Sequence, residues 1–233
     1  MKSKSRICIR PFLLVILLII TISCSKKENN PPVITETVTD IEGNVYKTVM
    51  IGTQVWMAEN LKTSKYRNGD LIGTTTASDL PRDGSSKYQW AYGSKESNVA
   101  TYGRLYTWYA VTDTRNIAPT GWHVPNSREW MTLIDFLGGE SLAGGQLKAK
   151  GESLWIWPNT GASNSSGFTA LPGGFWSGIS YQMGETGNWW TVATPNDYPP
   201  LRAYFFGLGY GFNGVTIWDY PMINGLSVRC VKD

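Results

Sequence analysis

The sequence predicts an α+β domain built around a mostly antiparallel sheet, and three observations support this prediction. Short β-branched segments separated by glycine turns open the domain, helical patterns occupy its middle, and strand-like segments return after Gly151. Strands and helices that occur in separate runs, rather than in alternation, are typical of α+β proteins. The 25 glycines and 11 tryptophans also favour short elements and loops over long helices, because glycine weakens a helix.

Residues 1–24 have the pattern of a bacterial lipoprotein signal peptide. A basic start is followed by an uncharged apolar run, Phe12 to Ile22, which is too short for a comfortable membrane span but suits a secretory signal. The residues directly before Cys24 resemble a lipobox, in which the cysteine thiol receives a lipid. The sequence therefore predicts lipidation at Cys24; a plain cleaved signal and an uncleaved anchor are the alternatives.

Residues 25–38 are predicted to form a flexible tether. They begin with polar residues and include the pair Pro31-Pro32, a composition that buries little surface and favours extended chain. No internal repeat or second linker follows, so residues 39–233 are expected to form a single domain.

Charge and cysteine content exclude two classes of function. Four of the 21 Lys and Arg residues precede Cys24, so the chain from Cys24 onward has 17 basic and 18 acidic residues. This balance does not support nucleic-acid binding, which needs a basic face. Of Cys8, Cys24 and Cys230, only Cys230 lies in the expected domain, which excludes an internal disulfide and a paired-cysteine zinc or redox site.

The first part of the domain is predicted to form short strands. Residues 45–51 are rich in β-branched side chains, and residues 55–57 follow after a turn at Gly52-Thr53. Residues 62–101 contain repeated turn signals and are expected to form a long surface excursion.

Three helices are expected in the middle of the chain. Residues 105–112 place apolar side chains on one helical face, although the pattern is ambiguous. Residues 126–137 carry the strongest signal, because Asn126 and Glu129 have capping-box spacing and Gly138-Gly139 ends the apolar repeat. A shorter helix is expected at 142–149, and short strands and turns from Gly151 to the end.

His123, the only histidine of the chain, is interpreted as a structural residue. A metal site needs several converging ligands, and no second histidine exists. Ser127 and Glu129 lie nearby, but no nucleophile-elbow sequence accompanies them. We expect His123 to bond a backbone carbonyl in the turn before the 126–137 helix, so no catalytic residue, metal ligand or cofactor site is predicted.

The stretch Gly209 to Gly214 matches the glycine pattern of a dinucleotide-binding loop. Such a loop needs a strand before it, a helix after it and an acidic residue about 20 positions later. Here β-type segments lie on both sides and only nineteen residues follow Gly214. The match is therefore interpreted as accidental, with Phe212-Asn213-Gly214 forming a hairpin turn.

Clusters of tryptophan with amide or carboxylate residues are the candidate ligand site. Aromatic rings can stack on the C–H faces of sugars while fixed polar groups bond the hydroxyls. The alternative is that most of these rings are core, with strand alternation burying one of Trp189 and Trp190. The candidate ligand-binding residues are Trp155, Trp157, Asn159, Asn188, Trp189, Trp190, Asn196, Asp197, Trp218 and Asp219.

Four stretches together resemble the major paralogous domain family named for Fibrobacter succinogenes. They are VMIGTQVWMAENLKTSKYRNGDLI (49–72), YGRLYTWYAV (102–111), APTGWHVPNSREWMTL (118–133) and GLSVRCVKD (225–233). The resemblance spans about residues 40–233. This domain occurs in exported proteins and lipoproteins of Bacteroidetes and relatives, and no firmly established activity comes with it.

The resemblance implies a fold like that of C-type lectins and sulfatase-modifying factors: a small, mostly antiparallel sheet flanked by two helices, with long irregular loops. Calcium-dependent lectins use Glu-Pro-Asn or Gln-Pro-Asp together with Trp-Asn-Asp, whereas this chain has only Thr194-Pro195-Asn196-Asp197. Formylglycine-generating enzymes use paired cysteines to hold copper, and Cys230 has no partner in the domain. Neither metal is therefore expected.

The function expected from these observations is non-catalytic binding or adhesion by a lipid-anchored protein of the cell envelope. The expected location is the outer membrane, on its periplasmic or surface face. Its ligand would be a glycan or a protein, and its membrane contact the N-terminal lipid. A structural or assembly component of the envelope is the first alternative. A glycoside hydrolase using carboxylates such as Asp197 and Asp219 is a distant one.

Overall fold

The computed structural model describes residues 34–81, 86–194 and 201–233, and they form an α+β fold with mostly antiparallel strands, as predicted. The strands are β1 (Ile34–Thr39), β2 (Val45–Ile51), β3 (Gln54–Met57), β4 (Gln89–Ala91), β5 (Arg104–Tyr106), β6 (Trp122–His123), β7 (Phe175–Ser177), β8 (Ile179–Tyr181), β9 (Thr186–Trp190), β10 (Arg202–Gly209), β11 (Thr216–Pro221) and β12 (Val231–Lys232). The helices are α1 (Val99–Tyr102), α2 (Trp108–Val111), α3 (Ser127–Phe136) and α4 (Glu140–Leu147), with 3₁₀ turns at Tyr92–Ser94 and Glu96–Asn98. Within these described ranges no helix is both long and apolar enough to cross a membrane.

The strands form several sheets rather than one. The largest has the strand order β1-β2-β3-β12-β6, and a three-stranded sheet has the order β11-β10-β9. The pairs β4–β5 and β7–β8 form two separate two-stranded sheets. The predicted strands at 45–51 and 55–57 are confirmed as β2 and β3, joined by the Gly52-Thr53 turn. The strand β1 includes the last five residues of the segment expected to be a tether, and the rest of that segment lies outside the described residues, as does Cys24.

The helix predicted at 126–137 is confirmed as α3. The side-chain oxygen of Asn126 accepts a hydrogen bond from the backbone N–H of Glu129 at 3.1 Å, and the Glu129 carboxylate accepts one from the backbone N–H of Asn126 at 2.8 Å. This reciprocal capping box satisfies donors that the first helical turn leaves without partners. Gly138 and Gly139 have φ values of 95° and 92°, which end the helix as expected.

The helix predicted at 105–112 is wrong in its first half, because Leu105 lies in β5 and the helix α2 begins only at Trp108. Tyr106 exchanges two backbone hydrogen bonds with Leu226, at 2.8 and 3.1 Å, and this bridge keeps it extended. The hydroxyl of Thr107 then accepts from the N–H of Ala110 and caps the short helix.

The predicted surface excursion at 62–101 is only partly at the surface. It contains β4 and both 3₁₀ turns, and its side chains Tyr66, Ile72 and Trp90 are buried. Large apolar groups in this loop-rich segment fill the core although the backbone around them is irregular.

The helix α4 packs against the turn between β10 and β11 through glycines. The shorter helix predicted at 142–149 is confirmed here with earlier bounds. A Cβ atom at Gly145 would lie 1.9 Å from the side-chain oxygen of Asn213, so only glycine permits this approach. Buried Lys148 follows the helix and donates through Nζ to the carbonyls of Thr160, Gly209 and Phe212 at 2.9, 2.9 and 2.8 Å.

Candidate functional site

Three of the five tryptophans predicted to bind a ligand lie in the core. Trp155, Trp189 and Trp190 are at most 1% exposed. Their indole N–H groups donate to internal acceptors: the carbonyl of Ala170 at 2.9 Å, the side chain of Asn60 at 2.8 Å and the carbonyl of Tyr106 at 2.7 Å, respectively. A surface ligand cannot reach these rings, so their assignment to the binding site is corrected to a structural role.

Both members of the pair Trp189-Trp190 are buried because β9 lies between two core clusters. Trp189 packs in the cluster that contains Trp130 and Phe206, whereas Trp190 packs in the one that contains Tyr106. Strand alternation sends the two side chains to opposite faces, as expected. The expectation that one face would be open was wrong, since both faces are covered.

Asn159 and Asp219 are engaged within the fold. Asn159 is buried, and its amide group donates to the carbonyls of Ala149 and Gly151 at 3.0 and 2.7 Å. The Asp219 carboxylate accepts from the guanidinium of Arg202 in an ion pair. Asn196 and Asp197, the other predicted polar residues, lie outside the described residues.

Two predicted tryptophans remain at the surface, in different places. Trp157 is 74% exposed in the loop after α4, and Trp218 is 64% exposed on β11. Trp218 pairs with Phe205 of β10, which in turn pairs with Trp190 of β9. Because residues directly opposite each other in an antiparallel sheet share a face, Trp218 and Phe205 lie on the same side of the three-stranded sheet.

That side of the sheet contains an open pocket of about 260 Å³, which we call the aromatic–amide pocket. It is lined by Phe175, Gln182, Asn188, Phe205, Tyr220 and Leu226. Its volume falls slightly below the range of about 300–1,000 Å³ common for drug-sized ligands, which suits one small ring. Of the ten predicted residues, Asn188 lines this pocket and Trp218 lies on the same sheet face.

Three aromatic rings of the pocket are held against one another. The Phe205 and Tyr220 rings are 6.0 Å apart between centroids, and the Phe175 and Tyr220 rings are 5.5 Å apart, both edge to face. Tyr181 stacks on Phe175 at 5.4 Å. These contacts fix the orientation of the rings before any ligand arrives. Burial, partly offset by a hydrogen bond with Ser177, raises the pKa of Tyr220 and keeps its phenol neutral at physiological pH.

The polar groups of the pocket form a short directed chain of hydrogen bonds. The Asn188 amide group donates to the Gly174 carbonyl at 3.3 Å and to the Thr186 hydroxyl at 2.9 Å. That hydroxyl donates its one hydrogen to the Gln182 side-chain oxygen at 3.2 Å. Because a carbonyl only accepts, the contact with Gly174 shows which end of the Asn188 amide is the nitrogen. The Thr186 hydroxyl accepts from that nitrogen and donates to Gln182, so the Gln182 atom that it contacts is the side-chain oxygen.

These hydrogen bonds leave one donor group and one acceptor available to a ligand. Within the described residues, the Gln182 NH₂ group and the Asn188 side-chain oxygen have no hydrogen-bonding partner. Asn188 is only 8% exposed and lines the pocket, so its side-chain oxygen is an acceptor beside the pocket. A ligand that removes water from this oxygen must supply a hydrogen in its place, because a desolvated polar atom without a partner is costly.

Gly207 lies beside two of the lining residues, Asn188 and Phe205. It lies opposite Asn188 in the sheet. A Cβ atom there would lie 3.1 Å from the Asn188 side-chain oxygen and 3.0 Å from a Phe205 ring carbon, closer than ordinary contact. A side chain at this position would therefore crowd both an acceptor and a ring.

His123 has the structural role that was predicted but different partners. Its Nδ1 lies 2.6 Å from the Asp233 carboxylate and its Nε2 lies 2.7 Å from the Glu129 carboxylate, so it bonds two acidic side chains and no backbone carbonyl. The capping-box residue Glu129 therefore links the start of α3 to β6 and the C-terminal residue. Both ring nitrogens therefore have carboxylate partners.

The described residues contain no clustered metal ligands but do form a second cleft. Among the described residues, no group of three or more His, Cys, Asp and Glu is placed to hold a metal ion. A larger cleft of about 420 Å³ lies beside Trp176 and Asn224. Its lining includes Pro81, Ser86 and Leu201, which adjoin segments outside the described residues.

The ten predicted residues do not include Phe175, Gln182, Phe205, Tyr220 and Leu226. Phe205 could have been found, since it directly precedes the core residue Phe206 and strand alternation turns the two side chains to opposite faces. Gln182 carries no local signal for binding. Its φ of 59° reflects the turn between β8 and β9, and only the fold brings it beside Asn188.

Comparison with known proteins agrees with the sequence resemblance. Residues 49–232 match the model of a family described as the Fibrobacter succinogenes major domain, and this range includes every residue of the aromatic–amide pocket. No curated protein and no solved structure matches the chain.

Proposed function

The chain belongs to the Fibrobacter succinogenes major domain family, and from that premise we propose that it is a non-catalytic glycan-binding module of the cell envelope. The aromatic–amide pocket is the ligand site. The observation that supports this proposal is the combination of three fixed rings with one amide donor and one amide acceptor around an open pocket beside the three-stranded sheet. We further propose a C-type-lectin-like fold, lipid anchoring at Cys24, and an outer-membrane location facing either the periplasm or the exterior.

The pocket supports binding rather than chemistry. Glycoside hydrolysis needs two carboxyl groups flanking the bond that is cleaved, and none of the six lining residues is acidic. Asp219, the described member of the proposed acid pair, is held by Arg202. The aromatic rings offer C–H stacking and the amides offer hydrogen bonds, which together can hold a sugar without altering it.

A structural or assembly role in the envelope is the second candidate. It is favoured by the burial of Trp155, Trp189 and Trp190, since tryptophans that fill the core explain much of the aromatic composition without any ligand. The two functions differ in their dependence on the pocket. A purely structural protein would tolerate changes to Trp218 and Gln182 with no effect on any binding.

A glycan array tests the proposal. Full-length protein purified in detergent should retain one or more oligosaccharides, and Trp218→Ala should weaken that retention by about three- to tenfold, the effect of losing one ring contact. Trp157→Ala is the matched control, because Trp157 is also largely exposed but lies in the loop after α4, whereas Trp218 lies on the three-stranded sheet directly opposite the lining residue Phe205. Binding of no oligosaccharide at all, or equal losses in the two variants, would contradict the proposal.

A further inference from the structure

We propose that the aromatic–amide pocket is selective for an uncharged sugar residue and binds it without a metal ion. This inference rests on the proposed glycan-binding function and specifies the class of ligand. It follows from three properties of the pocket: the hydrogen-bonding capacity of its two free groups, the absence of charge among its lining residues, and the lack of carboxylate ligands for a metal ion.

The free groups of the pocket match hydroxyls. A hydroxyl both donates and accepts, so one sugar hydroxyl can donate to the Asn188 side-chain oxygen and a neighbouring oxygen can accept from the Gln182 NH₂ group. A carboxylate or sulfate only accepts. Placed beside the Asn188 oxygen, it would bring two acceptors together and leave both without a hydrogen.

The pocket offers no compensation for a charged ligand. All six lining residues are uncharged, and the Arg202 guanidinium is paired with Asp219. Transfer of an ionised group into a partly apolar site costs several kcal/mol unless an opposite charge or several hydrogen bonds meet it. An acidic sugar would lose its hydration here without gaining a partner.

The atoms of the pocket that could ligate a metal ion do not suit calcium-bridged binding of a sugar. Calcium is held by about six to eight oxygen ligands, with carboxylates prominent among them. The pocket supplies one free amide oxygen and no carboxylate. Ligand recognition here therefore depends on stacking by Phe205 and Tyr220 and on direct hydrogen bonds.

The test compares one oligosaccharide backbone before and after oxidation of its primary alcohols to carboxylates. Full-length protein in detergent is titrated with each form, with and without EDTA. We expect the neutral form to bind equally in EDTA and the oxidised form to bind at least about tenfold more weakly, the effect of one unpaired polar group. Equal or tighter binding of the oxidised form, or loss of neutral binding in EDTA, would overturn the inference while leaving glycan binding intact.

Two variants assign the effect to the pocket. Gln182→Glu replaces the donor group with a carboxylate at an exposed position and should weaken neutral binding by about tenfold. Thr53→Glu adds the same charge on the exposed turn of the other sheet and should have no effect. If the two variants bind alike, the pocket is not the site and the proposed function fails with it.

Gly207→Ala provides an independent check on the acceptor side. Its Cβ atom would crowd the Asn188 oxygen and Phe205, so binding should fall, whereas the Cβ atom of Gly211→Ala meets nothing within 4 Å and should leave binding unchanged. Thermal unfolding of both variants shows whether each is folded. A folded Gly207→Ala protein that binds neutral sugar as well as the wild type would contradict this account of the acceptor. If Gly207→Ala does not fold, Gln182→Glu still decides the result.

Discussion

Replacement of His123 by glutamine tests whether the only histidine serves the fold. Burial disfavours its charged form, but hydrogen bonds from its ring to Asp233 and Glu129 outweigh burial and raise the pKa of His123. At pH 6 the ring is therefore protonated and donates to both carboxylates, at 2.6 and 2.7 Å. A neutral glutamine can keep no more than part of this arrangement.

The expected loss of stability is modest because the site is partly open. Hydrogen bonds to charged groups contribute about 1.5–3 kcal/mol when buried, whereas exposed ion pairs contribute about 0–1 kcal/mol. The side chains of His123, Glu129 and Asp233 are 35%, 25% and 60% exposed, which places both contacts toward the lower range. We expect the free energy of unfolding to fall by about 1–2 kcal/mol, or Tm by about 3–6 °C for a chain of this size.

The pH dependence identifies the cause. Because the pKa of His123 is raised in the folded state, its contribution is complete below the unfolded value of about 6.5 and is lost as pH rises through the folded value. Urea unfolding followed by tryptophan fluorescence should show the full difference between wild type and His123→Gln at pH 6 and little at pH 9. Asn126→Ala is the control: it breaks the same capping box, costs about 1 kcal/mol and should show no such pH dependence.

Two results would refute this reasoning. One is a His123→Gln protein as stable as the wild type at pH 6. The other is a difference that grows between pH 6 and pH 9, which would mean that the neutral ring is the stabilising form.

The remaining predictions concern the fold and the membrane. Lys148→Met should lower the free energy of unfolding, measured by urea denaturation, by about 3 kcal/mol. Three carbonyls each lose a hydrogen-bond donor, at about 1 kcal/mol per bond. An unchanged stability would mean that water replaces the ammonium group. Gly145→Ala should cost about 1–3 kcal/mol or more through overlap with Asn213, whereas Gly211→Ala should be close to neutral; equal effects would contradict the close packing of α4 on the hairpin turn. Cys24→Ala should release the protein from membranes and abolish labelling by a fatty-acid analogue, and continued retention in the membrane fraction would instead favour an uncleaved N-terminal anchor.

Local sequence patterns correctly predicted those elements whose ends are specified by residues close in the sequence. The helix α3 was located because Asn126, Glu129 and Gly138 specify its ends within the chain itself. The turn at Phe212-Asn213-Gly214 was also correct: β10 and β11 pair directly across it, so the glycine pattern is not a dinucleotide loop. The element over 105–112 failed because the long-range bridge between Tyr106 and Leu226 overrides the helical pattern of the segment.

The positions of the candidate residues could be predicted only in part. Asn188 lines the aromatic–amide pocket and Trp218 lies opposite its lining residue Phe205, and whether the pocket binds a ligand stays a prediction. Which tryptophans face solvent depends on what covers each strand, and β9 is covered on both faces. The sequence of β9 has no periodicity that would indicate that both of its faces are covered. The partners Phe175 and Gln182 come from strands and turns that only the folded chain brings together.

Hydroxyl-radical footprinting with a bound neutral oligosaccharide tests the central claim most directly. We expect oxidation of Trp218, Tyr220 and Phe205 to fall when the ligand is present and oxidation of Trp157 to stay the same, because Trp157 neither lines the pocket nor belongs to the three-stranded sheet. Protection of Trp157 with no change at Trp218 and Tyr220 would contradict it and would place glycan binding elsewhere on the protein.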